Sequence, residues 1–389
     1  MQRNVILLAL CQALLTTAMS LQISISALVG YAMGGAALAT IPLGALFLGH
    51  MLTTFPASFF MRHVGRRHGF MVGALLGMVG AVLAVYAVSQ QHFVLFCTAH
   101  LLLGGFNGFG QFYRFAAADV SSAAFRSRAI SYVLAGGVLA AVIGPNLAVW
   151  TRSSFSIDFL GGYAALLGVF SLSLLISSLL SIPRPSVQEV TGSTRPLAQL
   201  ARQPLFMVAV LGAMVGYGVM NLLMTATPLA MHGHHHSFDA TAMVIQWHVL
   251  AMFAPSFFTG QLINRWGVLS IMLIGALMLL GTVVVNLSGS SVAHFTGALI
   301  LLGVGWNFLY IGGTTLLTES YWPAEKAKTQ ALNDFLVFTT VTCTALSVGA
   351  LHGWLGWQAI NIAVVPMIML TVMATLWLQW RQRLTANAI

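Results

Sequence analysis

The chain has 389 residues, of which 58% are hydrophobic and only 6% charged, and it carries a net charge of +9. A soluble domain is about 25% charged, so this chain cannot dress a globular surface for water. Its basic excess is scattered through short loops rather than gathered into a nucleic-acid-binding patch, and its cysteines (Cys11, Cys97, Cys343) lie in apolar segments without the CxxC spacing of a disulfide framework or zinc site.

Apolar stretches long enough to cross a bilayer predict twelve helices. In chain order they cover 4–28, 36–60, 69–88, 92–116, 128–150, 160–182, 205–230, 239–262, 268–287, 293–316, 329–351 and 357–380. The first follows "MQRNVILLAL" with no small-residue cleavage site after it, and reads as a retained helix rather than a signal peptide. The longest polar connection, "PRPSVQEVTGSTRPLAQLARQP" (Pro183 to Pro204), falls between the sixth and seventh spans. The expected organisation is an all-α integral membrane protein: an N-terminal six-helix bundle (1–183), a cytoplasmic linker (184–204) and a C-terminal six-helix bundle (205–389). With the N-terminus in the cytoplasm, fifteen of the sixteen Lys and Arg residues fall inside and only Arg152 outside. That asymmetry predicts cytoplasmic termini.

The halves repeat. "HMLTTFPASFF" (50–60) matches "HVLAMFAPSFF" (248–258), and "GFN" (105–107) matches "GWN" (305–307). Asp119, Arg126 and Arg128 recur as Glu319, Lys326 and Lys328, each at an offset of 200. Two six-helix repeats of one orientation joined by a cytoplasmic linker are a transporter architecture. No nucleophile–base set or phosphate loop stands out, so enzymatic activity is not expected.

At these residues the chain resembles the major facilitator superfamily over essentially its full length. That family carries a loop motif, G-x-L-A-D-R-x-G-R-K, after its second helix. Here the motif reads "SFFMRHVGRR" (Ser58 to Arg67), keeping Gly65, Arg66 and Arg67. After the eighth helix it reads "GQLINRWGV" (Gly260 to Val268), keeping Gly260, Leu262, Arg265 and Gly267. The motif's acid is replaced by Arg62 and Asn264. The resemblance implies twelve helices in two pseudo-symmetric bundles. Gating loops are expected at the motif positions Arg66, Arg67 and Arg265, and Asp119 and Arg126 with their repeat mates Glu319 and Lys326 are expected to supply substitute pairs.

The buried polar residues suggest cargo. All seven acids, Asp334 among them, are expected at helix ends or loops, and Arg114 is expected to snorkel from the end of the fourth helix. His50 and His248 are repeat mates at mid-helix. Met220 and Met224 share one helix face, as do His248 and Met252, because residues four apart are neighbours on a helix. Three thioethers and an imidazole favour Cu(I). Methionine also fills apolar cores, and Met369 and Met373 repeat the spacing in the last span. Placement at mid-depth on adjacent helices favours the ligand reading, as does the outward "HGHHH" cluster (His232, His234, His235, His236), read as an outer metal-capture site. His50 is the expected second ligand or proton carrier.

MxxxM on the seventh helix with HxxxM on the eighth looks like the CcoA-like branch. That resemblance implies a secondary active copper importer of the bacterial inner membrane, serving assembly of cbb3-type cytochrome oxidase. Copper is then the transported substrate, with no permanent cofactor. The bilayer and the substrate are the expected partners, with no nucleic acid, and the chain is expected to be a monomer. The alternative is an importer of riboflavin or another organic solute, since RfnT-type riboflavin importers are close relatives. Twenty-four Phe, nine Trp and eight Tyr can line a flat-ring pocket. A drug exporter is a further alternative, because "GGVLAAVIGP" (Gly136 to Pro145) partly resembles an antiporter motif.

Overall fold

A computed structural model describes residues 3–35, 38–39, 41–183 and 192–386. Most of the Pro- and Ser-rich first half of the linker, 184–191 with Arg184 and Glu189, lies outside these. Every regular element among the described residues is helical.

Among the described residues eleven helices are long and apolar enough to cross a bilayer: α1 (Arg3–Gly34), α2 (Ile41–Val64), α3 (Arg66–Ser89), α4 (Phe93–Asp119), α5 (Ala123–Thr151), α6 (Leu160–Ser178), α7 (Pro204–Gly233), α9 (Val268–Ser288), α10 (Val292–Leu317), α11 (Pro323–Val348) and α12 (Leu351–Leu384). The remaining one, α8, is a pair, Asp239–Phe253 and Ser256–Trp266, bent by 43° at the break. Each expected span has its helix. The main shift is at α11, which starts at Pro323 instead of 329 and so carries Asp334 well into the span.

The chain forms two compact units. Unit 1 holds 1–121, 132–194 and the start of α11 (322–338); unit 2 holds 195–321, 339–389 and the start of α5 (122–131). In unit 1, α4 packs against α2 and α3, and α3 against α6. In unit 2, α10 packs against α7, α8 and α9, and α9 against α12. The packing order thus repeats with the sequence.

Glycine sets the close approaches. A Cβ on Gly104 of α4 would meet Leu46 O at 2.1 Å, and one on Gly303 of α10 would meet His248 O at 2.8 Å. Missing side chains let helix backbones touch where no hydrophobic force separates helix from lipid. Gly136 and Gly144 of the antiporter-like stretch do the same against α1, facing Ala9 O and Ser20. The turns into α3 and α9 are made by Gly65 (φ 97°, ψ 158°) and Gly267 (φ 83°, ψ 151°). This is backbone that residues with a Cβ avoid, and it explains why the loop motif keeps both.

Asn307 holds the break in α8. Pro255 has no N–H to give. The Asn307 side chain donates to Met252 O (2.7 Å) and Ser256 Oγ (2.6 Å) and accepts from Thr259 Oγ1 (2.7 Å). Its repeat mate Asn107 is equally buried, yet neither side-chain polar atom has a hydrogen-bond partner, and α2 runs unbroken through Pro56.

Candidate functional site

Unit 1 concentrates charge where an apolar span should have none. Residues 327, 330, 334 and 338 lie on one face of α11, and each meets a different partner. Ser58 Oγ of α2 donates to Ala327 O at 2.7 Å. Arg66, the first residue of α3, donates to Gln330 Oε1 at 2.6 Å and pairs with Asp119 at 3.2 Å. Lys326 also reaches Asp119, at 3.4 Å. Arg114 of α4 pairs with Asp334, and both side chains are 1% exposed or less. The His50 ring packs on Phe338, centroids 3.8 Å apart.

Two expectations are corrected here. Asp334 is not at a helix end, and Arg114 does not snorkel. Each finds its counter-charge inside the protein. Their repeat mates are Leu134 and Thr314. Two unlike charges that both lack charged mates were the available signal of a pair.

His50 is buried with both ring nitrogens lacking a hydrogen-bond partner. His100 behaves differently. Its Nε2 bonds Ser26 Oγ at 2.8 Å, its Nδ1 bonds Phe96 O at 2.9 Å, and Ser26 also bonds Tyr163 at 2.9 Å. This satisfied network ties α1, α4 and α6 together.

In unit 2 the start of α5 meets the end of α8. Ser127 Oγ donates to Asn264 Oδ1 at 2.5 Å and to Gly260 O at 3.3 Å, and Asn264 Nδ2 donates to Ala124 O at 2.9 Å. Asn264 stands at the motif's missing acid and makes neutral hydrogen bonds from that position. Glu319 sits near Arg126. Desolvation raises its carboxyl above the ordinary range, and the Arg126 charge works against that. Arg67 and Arg265 are exposed.

Near Met220 and Met252 in the chain stand residues of an aromatic cluster. Trp306 stacks on Tyr310 (5.1 Å, 18°), Tyr217 stands edge-on to both (5.4 and 5.3 Å), and Phe253 stands edge-on to Trp306 (5.6 Å). Met220 is one turn beyond Tyr217, and Met252 directly precedes Phe253. Met220, Met252 and His248 are buried, and Met224 is half-buried. His248 Nδ1 bonds Leu299 O at 2.8 Å, while its Nε2 and the buried Trp306 Nε1 have no hydrogen-bond partner. In the sequence "GWN" marks the position of Trp306 but not its neighbours.

The outer histidines do not converge. His232, His234 and His235 are exposed, and His236 bonds Ser290 O at 2.6 Å. Among the described residues no three His, Cys, Asp or Glu side chains come together to hold a metal.

Among the described residues, eleven apolar helices and one bent pair, in two repeating units, define a multi-pass membrane transporter. The profile of the Major Facilitator Superfamily matches residues 8–338. The chain belongs to the major facilitator superfamily, whose members carry small molecules across the bilayer and are not enzymes. It is 41% identical over 375 residues to the riboflavin transporter RfnT of Brucella anthropi, covering 95% of this chain and 94% of that one. It is 30% identical over 336 residues to YdeG, an uncharacterized MFS-type transporter of Bacillus subtilis, covering 81% and 77%. Two solved structures share the fold: the human organic anion transporter MFSD10 (TM-score 0.79, 15% identity, covering 96% and 100%) and FucP in the outward conformation (TM-score 0.77, 14% identity, covering 96% and 98%).

The similarity to RfnT overturns the copper-import expectation, and with it copper as the cargo. A four-residue spacing of Met and His is what any helix face filled with soft apolar side chains produces. Here it marks a chain whose relative carries a flavin.

Proposed function

We propose that the chain imports riboflavin or a close flavin across the bacterial inner membrane. The carrying observation is 41% identity to RfnT over 95% of the chain. The transporter works as a monomer with both termini cytoplasmic, and its halves, 1–183 and 205–389, are joined by the 184–204 linker. The flavin ring stacks at Tyr217, Trp306, Tyr310 and Phe253, where orphaned Trp306 Nε1 and His248 Nε2 offer polar contacts. Met220, Met224 and Met252 shape the apolar wall beside it. Arg66, Asp119 and Lys326, together with Arg126 and Glu319, form the gating charges.

The test is labelled riboflavin uptake by riboflavin-auxotrophic cells expressing the chain. Wild type should accumulate riboflavin and restore growth on low riboflavin. An aromatic contact is worth ~0.5–1.5 kcal/mol, so Trp306→Ala should raise KM by about two- to tenfold. No uptake by correctly inserted wild-type protein overturns the proposal. Uptake with an unchanged KM in Trp306→Ala removes the cluster from it.

A further inference from the structure

Binding a flavin does not require the ion pair buried in unit 1. Resting on the importer reading, we propose that Asp334 is the coupling proton site of this transporter, and that its protonation frees the start of α11 from Arg114.

The fold does not need this pair. Charge inside a span is costly and usually functional. Replacing a buried ion pair by apolar residues is often neutral or stabilising. The repeat fills the equivalent positions with Leu134 and Thr314, both buried and uncharged.

The pair is also built unevenly. Asp334 Oδ1 accepts from Arg114 and from Asn333 Nδ2 (2.8 Å), while Oδ2 is buried with no hydrogen-bond partner. A proton can therefore bind Oδ2 without displacing a donor. Arg114 has other anchors: it donates to Gln111 O (3.1 Å) and Gln111 Oε1 (3.0 Å), and its guanidinium lies 4.5 Å from the Phe115 ring centroid. Its guanidinium keeps these contacts when Asp334 turns neutral, whereas α11 loses its charged tie.

The charges acting on Asp334 are Arg114 from α4 and Arg66 from α3. One turn further along α11, α2 supplies the titratable His50 against Phe338. The step balances simply. A proton leaves outer water and forms an O–H bond at Oδ2; on the inner side that bond breaks and the proton returns to water. No redox partner is involved.

Two readouts on purified protein test this. In lipid nanodiscs without solute, an infrared pH titration should show on acidification, beyond the bands of the other six acids, a further protonated-carboxyl C=O band. The band should be lost in Asp334→Asn and retained in His50→Gln. In proteoliposomes, a gradient of one pH unit should concentrate riboflavin about tenfold for one proton per solute. Asp334→Asn should only equilibrate it, while still exchanging labelled for unlabelled riboflavin. Because Asp334→Asn leaves Arg114 uncompensated, Arg114→Gln/Asp334→Asn serves as the folded control and should also lack the band. Absence of the band in wild type, or its persistence in either Asp334 variant, overturns the proposal. So does concentrative uptake by Asp334→Asn. If wild type carries no riboflavin, the substrate reading fails, and the infrared titration still decides Asp334.

Discussion

Residues of one type behave differently according to what they touch. His50 and His100 are both fully buried in unit 1, yet His100 makes hydrogen bonds with both ring nitrogens and His50 with neither. His100→Phe removes the Ser26–His100 bond and leaves Ser26 and Tyr163 bonded only to each other, and a lost hydrogen bond costs about 0.5–1.5 kcal/mol. His50→Phe keeps an aromatic ring against Phe338 and removes two orphaned nitrogens. Thermal unfolding in detergent should show His100→Phe destabilised and His50→Phe near wild type. For Arg114 and Asp334, breaking a buried pair from one side costs about 3–5 kcal/mol. Asp334→Leu and Arg114→Leu should each lower the melting temperature sharply, and the double variant should recover most of the loss. If the two losses simply add, the pair is not coupled.

At the scale of elements, the repeat gives matched positions with unlike roles. Asn307 bonds Met252 O, Ser256 and Thr259 across the bend of α8, while the Asn107 side chain has no hydrogen-bond partner beside the unbroken α2. Asn307→Ala should therefore cost about 1–3 kcal/mol, and Asn107→Ala clearly less, as read by denaturation of the two variants side by side. Equal losses would mean the bend does not depend on Asn307. Helix contact through glycine makes a second comparison. Gly104→Ala forces a Cβ to 2.1 Å from Leu46 O, whereas Gly168 has nothing within 4 Å. Overpacking costs about 1–3 kcal/mol, so Gly104→Ala should reduce folded yield and Gly168→Ala should not.

For the whole molecule, the twelve spans were legible because hydrophobic length is a local property: about twenty apolar residues are needed wherever a helix crosses. Fifteen of sixteen cations on one side predict cytoplasmic termini. A C-terminal phosphatase fusion should be inactive, and the same reporter placed in the 232–236 loop active. The cargo was not legible from the Met and His residues. Spacing places side chains on one face, but does not say whether that face holds an ion or packs against the rest of the interior.

The sequence by itself determined the class, the helix count, the repeat and the family, because hydropathy and motif order run along the chain. The α8 break could be suspected at Pro255, but the residue that stabilises it could not. Tertiary structure decided which polar groups meet. Arg114 and Asp334 are 220 residues apart, and Asn307 and Met252 are 55 apart. Tyr217, Phe253, Trp306 and Tyr310 come from three different helices. Such partners are chosen by helix packing in three dimensions, and no local pattern in either segment names the other.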